Sequence, residues 1–251
     1  MNPLNQISHP TTLSSRTVAP APARTLAQTL ASLAPVPASA LFMGLAEDGL
    51  PVLFDLRDSS PGPVLIAADA GAGKTRLLHT IARGIEQLHE AADVRYAVVT
   101  EHPGEWRLFE HSRHCERVLP FHQAFTTGYL HCAALGQPSD IRSSTSLVVL
   151  IDGFEALVSD GDLRDSAHAL LRSPTPRGVF PFVTLNTSSA AFPDRWMDAF
   201  TARLFGYIRD QPTAASLCGS AENCAGDLQP PSQFSVREGE SWLPFWLPDL
   251  D

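Results

Sequence analysis

Apolar and polar positions divide the chain near residue 40. Residues 1 to about 22 are rich in Pro, Ser, Thr and Asn, lack periodicity and read as disordered. Leu26, Leu30 and Leu33 then recur at helical spacing and predict a short amphipathic helix, which Pro35 and Pro37 end. From Leu41 the texture is that of an α/β domain, in which apolar runs alternate with helical or polar stretches. Strands are predicted at Leu41–Gly44 and Pro51–Leu56, around the turn Glu47-Asp48-Gly49, and at Val64–Ala67, Arg95–Thr100, Leu147–Ile151, Val179–Leu185 and Leu204–Ile208. The five consecutive apolar residues Leu147–Ile151 suit a strand buried on both faces. A helix is predicted over Lys74–Glu90, with Leu77, Leu78, Ile81, Ala82, Ile85 and Leu88 on its inner face, and another over Leu163–Arg172. Residues 105–135 read as helical and irregular, and Gln233–Leu247 as a hairpin around Glu238-Gly239-Glu240. The expected organisation is a Pro/Ala/Ser-rich segment with one short helix over 1–38 and an α/β domain over 39–251.

Composition narrows the function classes. The 251 residues, 44% hydrophobic, suffice for one domain core. The net charge is −9, and residues 1–46 hold Arg16 and Arg24 but no acid, which leaves −11 on the remainder. A broad electrostatic grip on nucleic acid is not advertised, because neutralising phosphates takes clustered Lys and Arg. Lys74 is the only lysine in the chain, so its placement carries weight. The four cysteines form no CxxC pair and read as reduced thiols of a cytoplasmic protein. No run of 18 apolar residues occurs, so no membrane span is expected. The start lacks the basic-then-apolar pattern of a secretory signal, and a plain tail is preferred over a transit peptide.

The chemistry concentrates at residues 68–75, Ala68-Asp69-Ala70-Gly71-Ala72-Gly73-Lys74-Thr75, between a predicted buried strand and a predicted amphipathic helix. Such a loop of small residues lets backbone N–H groups converge on phosphate oxygens, and the helix N-terminus adds its dipole. Lys74 then reaches the β- and γ-phosphates, and the Thr75 hydroxyl is placed to ligate magnesium. The pattern GxxxxGK[ST] is met except at its first position, where Ala68 stands for Gly. The second half of such a site is a buried strand ending in Asp, which Leu147-Val-Val-Leu-Ile-Asp152 supplies as the magnesium-side carboxylate. Hydrolysis also needs a carboxylate that orients or deprotonates water; Glu155 is the nearest candidate, and favouring a helix N-terminus is its alternative role. The histidines and cysteines between His111 and Cys132 match no tight ligand-pair spacing for zinc.

These residues resemble the motor domain of the FtsK/SpoIIIE family, within the HerA–FtsK group of P-loop ATPases. The likeness runs through Leu41–Leu56, Pro63–Thr75, Leu147–Leu157, Phe182–Thr187 and Ala202 to the C-terminus, roughly residues 40–250. It implies a RecA-like P-loop fold: a mostly parallel sheet with helices on both faces and flanking β-hairpins, the strand ending in Asn186 lying between the loop strand and the acidic strand. It implies ATP and magnesium as ligands, a homo-oligomeric ring, and double-stranded DNA as the polymer moved. Asn186 falls at the family's sensor position, usually Gln, and Arg177 where an arginine would reach the γ-phosphate of a neighbouring subunit, with Arg172 and Arg203 as rivals. Gly153 stands where the family usually has Glu. The expectation is therefore a magnesium-dependent ATPase acting as or within a DNA-translocase-like motor. The alternative is a nucleotide-binding regulatory or scaffold protein with little hydrolysis and no DNA substrate, favoured by Gly153 and the acidic charge. A secretion-type ATPase module acting on protein is a third reading.

Overall fold

The computed structural model describes residues 24–33, 36–57, 62–136, 145–172, 178–188, 194–200, 202–220, 225–238 and 241–250. The segment 1–22 and Arg177 lie outside the described residues. The elements run α1 (Leu26–Ser32), β1 (Ala40–Ala46), β2 (Pro51–Asp55), β3 (Val64–Ala68), α2 (Lys74–Leu88), β4 (Val94–Thr100), β5 (Cys115–Pro120), α3 (Ala124–Ala134), β6 (Ser146–Asp152), α4 (Phe154–Ser159), α5 (Gly161–Arg172), β7 (Val179–Asn186), β8 (Ala202–Phe205), α6 (Gln211–Cys218), β9 (Gln233–Glu238) and β10 (Ser241–Trp246).

One ten-stranded sheet runs in the order β2-β1-β10-β9-β8-β3-β7-β6-β4-β5. From β8 to β5 every pairing is parallel, and from β8 to β2 every pairing is antiparallel. The two hairpins expected at the flanks therefore continue the central sheet. Strands β3, β6 and β7 are buried along almost their whole length, as apolar runs in a sheet covered on both faces must be. On one face Leu77, Leu78, Ile81, Ala82 and Ile85 of α2 pack on Ile66, Val98, Leu150 and Phe182. On the other, α3, α4, α5 and α6 pack on Leu65, Val99, Ile151 and Val183. Helix α1 carries a capping box, Thr25 with Gln28, and buries Leu26 and Leu30 with Phe42. No described helix is long and apolar enough to cross a membrane.

Two elements differ from the sequence reading. Within 105–135, Cys115–Pro120 forms β5, an edge strand paired with β4, and helix is confined to Ala124–Ala134 beyond a short 3-10 turn at Pro103–Trp106. Only Cys115 and Leu119 of β5 are buried, and Glu116 and Arg117 interrupt its alternation, as an edge strand allows. Strand β8 begins two residues before Leu204 and ends at Phe205. Gly206 stops it at a close approach, since a Cβ there would lie 2.9 Å from the Ala68 methyl and 3.0 Å from the Phe234 ring.

Candidate functional site

Strand β7 lies between β3 and β6, so the carboxyl ends of β3, β7 and β6 stand side by side. The loop leaving β3 enters α2 through Gly71 and Gly73, with φ of +74° and +93°, a left-handed backbone that side-chain-bearing residues rarely adopt. Gly73 is doubly constrained, because a Cβ there would fall 1.9 Å from the Pro231 carbonyl oxygen. Ala68, at the position where the motif has Gly, ends β3 in extended, fully buried backbone and needs no glycine freedom. Its methyl occupies room left by Gly206 on the neighbouring chain segment.

The loop's polar groups pair with one another. Lys74 Nζ donates to the carbonyls of Ala68 (3.0 Å) and Asp69 (2.8 Å), and Ala72 N–H donates to Asp69 O at 3.2 Å. Burial pushes the Lys74 ammonium below its ordinary pKa, while Glu155, Asp152 and Asp69 pull it back up. The Asp69 side chain ties the loop to two other segments. Its carboxylate accepts from the Thr187 hydroxyl, from Ser188 Oγ at 3.3 Å and from Arg209 N at 2.9 Å. Partial burial pushes Asp69 up, but these donors outweigh it and hold the carboxyl below its usual value.

Asp152, at the end of β6, accepts from Thr75 Oγ1 at 2.8 Å through Oδ2 and from Thr184 Oγ1 at 2.9 Å through Oδ1. Thr184 in turn accepts from Gly153 N–H at 2.9 Å. A hydroxyl and a carboxylate so placed suit magnesium, which takes hard oxygen donors and is usually held by one or two carboxylates plus substrate phosphates. The donor set therefore fits that ion. Glu155 stands in the first turn of α4, with Oε2 accepting from Asn186 N at 3.3 Å. Asn186 Oδ1 caps its own turn by accepting from Ser188 N at 3.2 Å. Of the rival arginines, Arg203 is spent within its own chain, on the carbonyls of Met197 (2.9 Å) and Leu217 (3.3 Å). An open cavity of about 600 Å³ borders the loop, lined by Asp69–Ala72, Thr187 and Ser188, Tyr207, Arg209, Asp210, Thr213 and Pro230.

The structure thus gathers Lys74, Thr75, Asp152, Glu155 and Asn186 at the carboxyl ends of β3, β7 and β6. It adds Thr184, Thr187, Ser188 and Arg209, which the sequence reading did not single out. Thr184 and Thr187 flank Asn186 closely enough to have been weighed; the Arg209 contact has no local signal.

A glycine-rich loop between a buried parallel strand and a helix, with lysine and threonine opening that helix and an aspartate two strands away, defines a P-loop α/β domain of RecA-like architecture. No family model matches the chain, and neither does any curated protein. Solved structures do match. The cytoplasmic domain of the type VII secretion ATPase EccC from Thermomonospora curvata aligns at 16% identity and a TM-score of 0.67, covering 88% of this chain and 30% of that one. The pCW3 conjugation coupling protein TcpA, solved with ATPγS, aligns at 15% and 0.66, covering 85% of this chain and 67% of that one. B204, the DNA-packaging ATPase of Sulfolobus turreted icosahedral virus, aligns at 13% and 0.56, covering 74% of this chain and 98% of that one. At these identities the likeness is one of fold, and it is the fold that the resemblance to FtsK/SpoIIIE motor domains implies. This chain corresponds to under a third of the EccC domain's length.

Proposed function

We propose that this chain is a divergent FtsK/SpoIIIE-like P-loop ATPase, which binds ATP with magnesium and hydrolyses it as, or within, a translocase-like motor. One observation carries the reading: Thr75 and Asp152, 77 residues apart in sequence, meet at 2.8 Å beside the lysine of the phosphate loop. Backbone N–H groups of Asp69–Thr75 and the Lys74 ammonium bind the phosphates. Thr75 and Asp152 hold magnesium, which when bound neutralises charge on the β- and γ-phosphates. Glu155 and Asn186 face the γ-phosphate side and orient the attacking water, and Arg177 serves a neighbouring subunit if the chain assembles into a ring. The cavity beside Tyr207 and Pro230, of a size usual for a small-molecule site, receives the rest of the nucleotide. ATP is the favoured nucleotide because TcpA was solved with ATPγS and a B204 protein with AMPPCP.

A second reading, a nucleotide-binding scaffold without efficient turnover, is favoured by one observation. Gly153 holds φ +115°, so no glutamate follows Asp152 and none fits there without strain. The deciding experiment is magnesium-dependent ATP turnover, with and without duplex DNA, for the wild type and Lys74→Ala. DNA-stimulated turnover that Lys74→Ala abolishes supports the motor. Turnover indifferent to DNA moves the search to a protein substrate. Nucleotide binding without turnover supports the scaffold.

A further inference from the structure

We propose that Asp210 determines sugar specificity at this site: its carboxylate accepts hydrogen bonds from ribose hydroxyls and so favours ribonucleotides over deoxyribonucleotides. The proposal rests on the nucleotide-binding reading above and deepens it. It starts from the way the phosphate loop is joined to the segment that leads into α6. Asp69 N donates to Tyr207 O at 2.9 Å, and Arg209 N donates to Asp69 Oδ2 at 2.9 Å. Two bonds to one loop residue fix this segment beside the loop, and Asp210 is its next residue. Both parts line the cavity of about 600 Å³, the loop through Asp69–Ala72 and the segment through Tyr207, Arg209 and Asp210, with Thr213 of α6. With the phosphates on the loop, the ribose is the first group of a nucleotide to enter that cavity.

The chemistry of this wall calls for a ligand that brings hydrogens. Asp210 Oδ2 accepts from Thr213 N at 2.9 Å and from Thr213 Oγ1 at 2.6 Å, and Oδ1 has no donor among the described residues. The Thr213 hydroxyl, and after it the Thr213 N–H, hold the Asp210 carboxyl below its ordinary pKa. It is therefore ionised at neutral pH and offers acceptors only. Thr213 has spent its one hydroxyl proton on Asp210 and has lone pairs left for a ligand. Asp69, the other carboxylate of the lining, is already engaged by the Thr187 and Ser188 hydroxyls and by Arg209 N.

A ribose carries two hydroxyl donors on adjacent carbons, whichever base is attached. A carboxylate that accepts from a ribose hydroxyl is an established mode of nucleotide recognition in dinucleotide-binding folds. Asp210 is also the N-cap of α6, but that role uses Oδ2 and leaves Oδ1 for the cavity.

The test titrates the full chain, as wild type and Asp210→Ser, with ADP, 2′-deoxy-ADP, 3′-deoxy-ADP and inosine diphosphate in the presence of magnesium, by calorimetry. Serine caps a helix about as well as aspartate but has no second oxygen to present to the cavity. The wild type is expected to bind ADP about tenfold more tightly than at least one of the deoxynucleotides, the size of one hydrogen bond in a cavity open to water. Asp210→Ser is expected to lose that factor for ADP and to keep the wild-type Kd for the deoxynucleotide, whereas a purely structural role would weaken all four ligands alike. A wild type that binds ADP and both deoxynucleotides equally overturns the proposal, and so does discrimination that persists in Asp210→Ser. Inosine diphosphate lacks the amine of adenine. If Asp210→Ser erases a preference for ADP over it and leaves the ribose discrimination intact, the carboxylate reads the base and the proposal is overturned. A wild type that binds none of the four overturns the nucleotide-binding reading itself, a result distinct from the others.

Discussion

Thr184 offers the sharpest test of how the acidic strand end is held. Its side chain is 1% exposed, and its single hydroxyl donates to Asp152 Oδ1 at 2.9 Å while accepting from Gly153 N–H at 2.9 Å. Thr184→Val keeps the β-branched shape and removes both bonds. Losing a hydrogen bond to a carboxylate costs about 1.5–3 kcal/mol, and leaving the Gly153 N–H without its partner adds about 1–3 kcal/mol. A total of about 2.5–6 kcal/mol is a large part of a typical folding stability of roughly 5–15 kcal/mol. At about 2–4 °C per kcal/mol for a chain of this size, Tm should fall by roughly 5–24 °C. Thr184→Ser is the control, since it keeps the hydroxyl and loses one methyl, worth about 0.8 kcal/mol. The functional consequence is separate. Asp152 would lose one of the two hydroxyls that orient it, and partners of that kind are worth about 10–100-fold in metal affinity. The assay is thermal unfolding, together with a magnesium titration of AMPPCP binding for the three proteins. Equal magnesium midpoints for Thr184→Val and Thr184→Ser would refute the claim that this hydroxyl positions Asp152. An unchanged Tm would refute the energetic estimate.

Gly71 and Gly73 should separate backbone strain from collision. Gly71→Ala meets open space and is expected to lose only the roughly 1–2 kcal/mol of a positive φ, whereas Gly73→Ala drives its Cβ onto the Pro231 carbonyl and should lose clearly more, with loss of analogue binding; denaturant unfolding and binding of the pair give the order. His79 packs on the rings of Trp106 (4.4 Å) and Phe109 (4.8 Å), and its buried Nε2 has no partner among the described residues. Burial lowers its pKa from 6.5 to about 4, so as pH falls from 6.5 towards 4 the unfolded chain takes up a proton that the folded chain refuses, and stability drops. His79→Phe should flatten that part of the stability–pH curve, measured by denaturant titration between pH 7 and pH 4; an unchanged slope would remove His79 as its source. Lys74→Ala should abolish magnesium-dependent nucleotide binding, read with the same AMPPCP probe.

The strand–loop–helix around Lys74 and the strand ending in Asp152 were legible because their signals are local: small residues, a lysine and a threonine in eight consecutive positions, and one aspartate closing an apolar run. The order of β3, β7 and β6 came from the resemblance, and the sheet has that order. What stayed hidden is long-range. Strand β5 gains its identity from pairing with β4, since its own apolar positions are too few to declare a period. The end of β8 is set by the Ala68 methyl and the Phe234 ring pressing on Gly206, contacts with no trace in the local pattern. Thr184 reads as one more β-branched residue of a buried strand, and only the fold brings it to Asp152, 32 residues away, and Gly153, 31 residues away. The tether from Asp69 to Arg209 N spans 140 residues and uses a backbone donor, which any residue type could have supplied.

The charges around Lys74 bear on how the proposed ATPase must work. Asp69, Asp152 and Glu155 all act on this one ammonium, so Lys74 is surrounded by three carboxylates, one from its own loop and two from the end of β6 and the start of α4. A triphosphate brought bare into that setting meets repulsion that a single lysine and the helix N-terminus have to offset. Lys74 also donates to the carbonyls of Ala68 and Asp69, and Ala72 N–H to Asp69 O. Under the proposed function, phosphate oxygens would compete with those carbonyls for the same donors. On the same reading, Thr75 and Asp152 would hold a divalent cation, whose charge would offset that of the carboxylates and of the triphosphate. The Asp69 carboxylate accepts from the Thr187 and Ser188 hydroxyls and from Arg209 N, so this one side chain joins the loop to the segment after β7 and to the segment leading into α6.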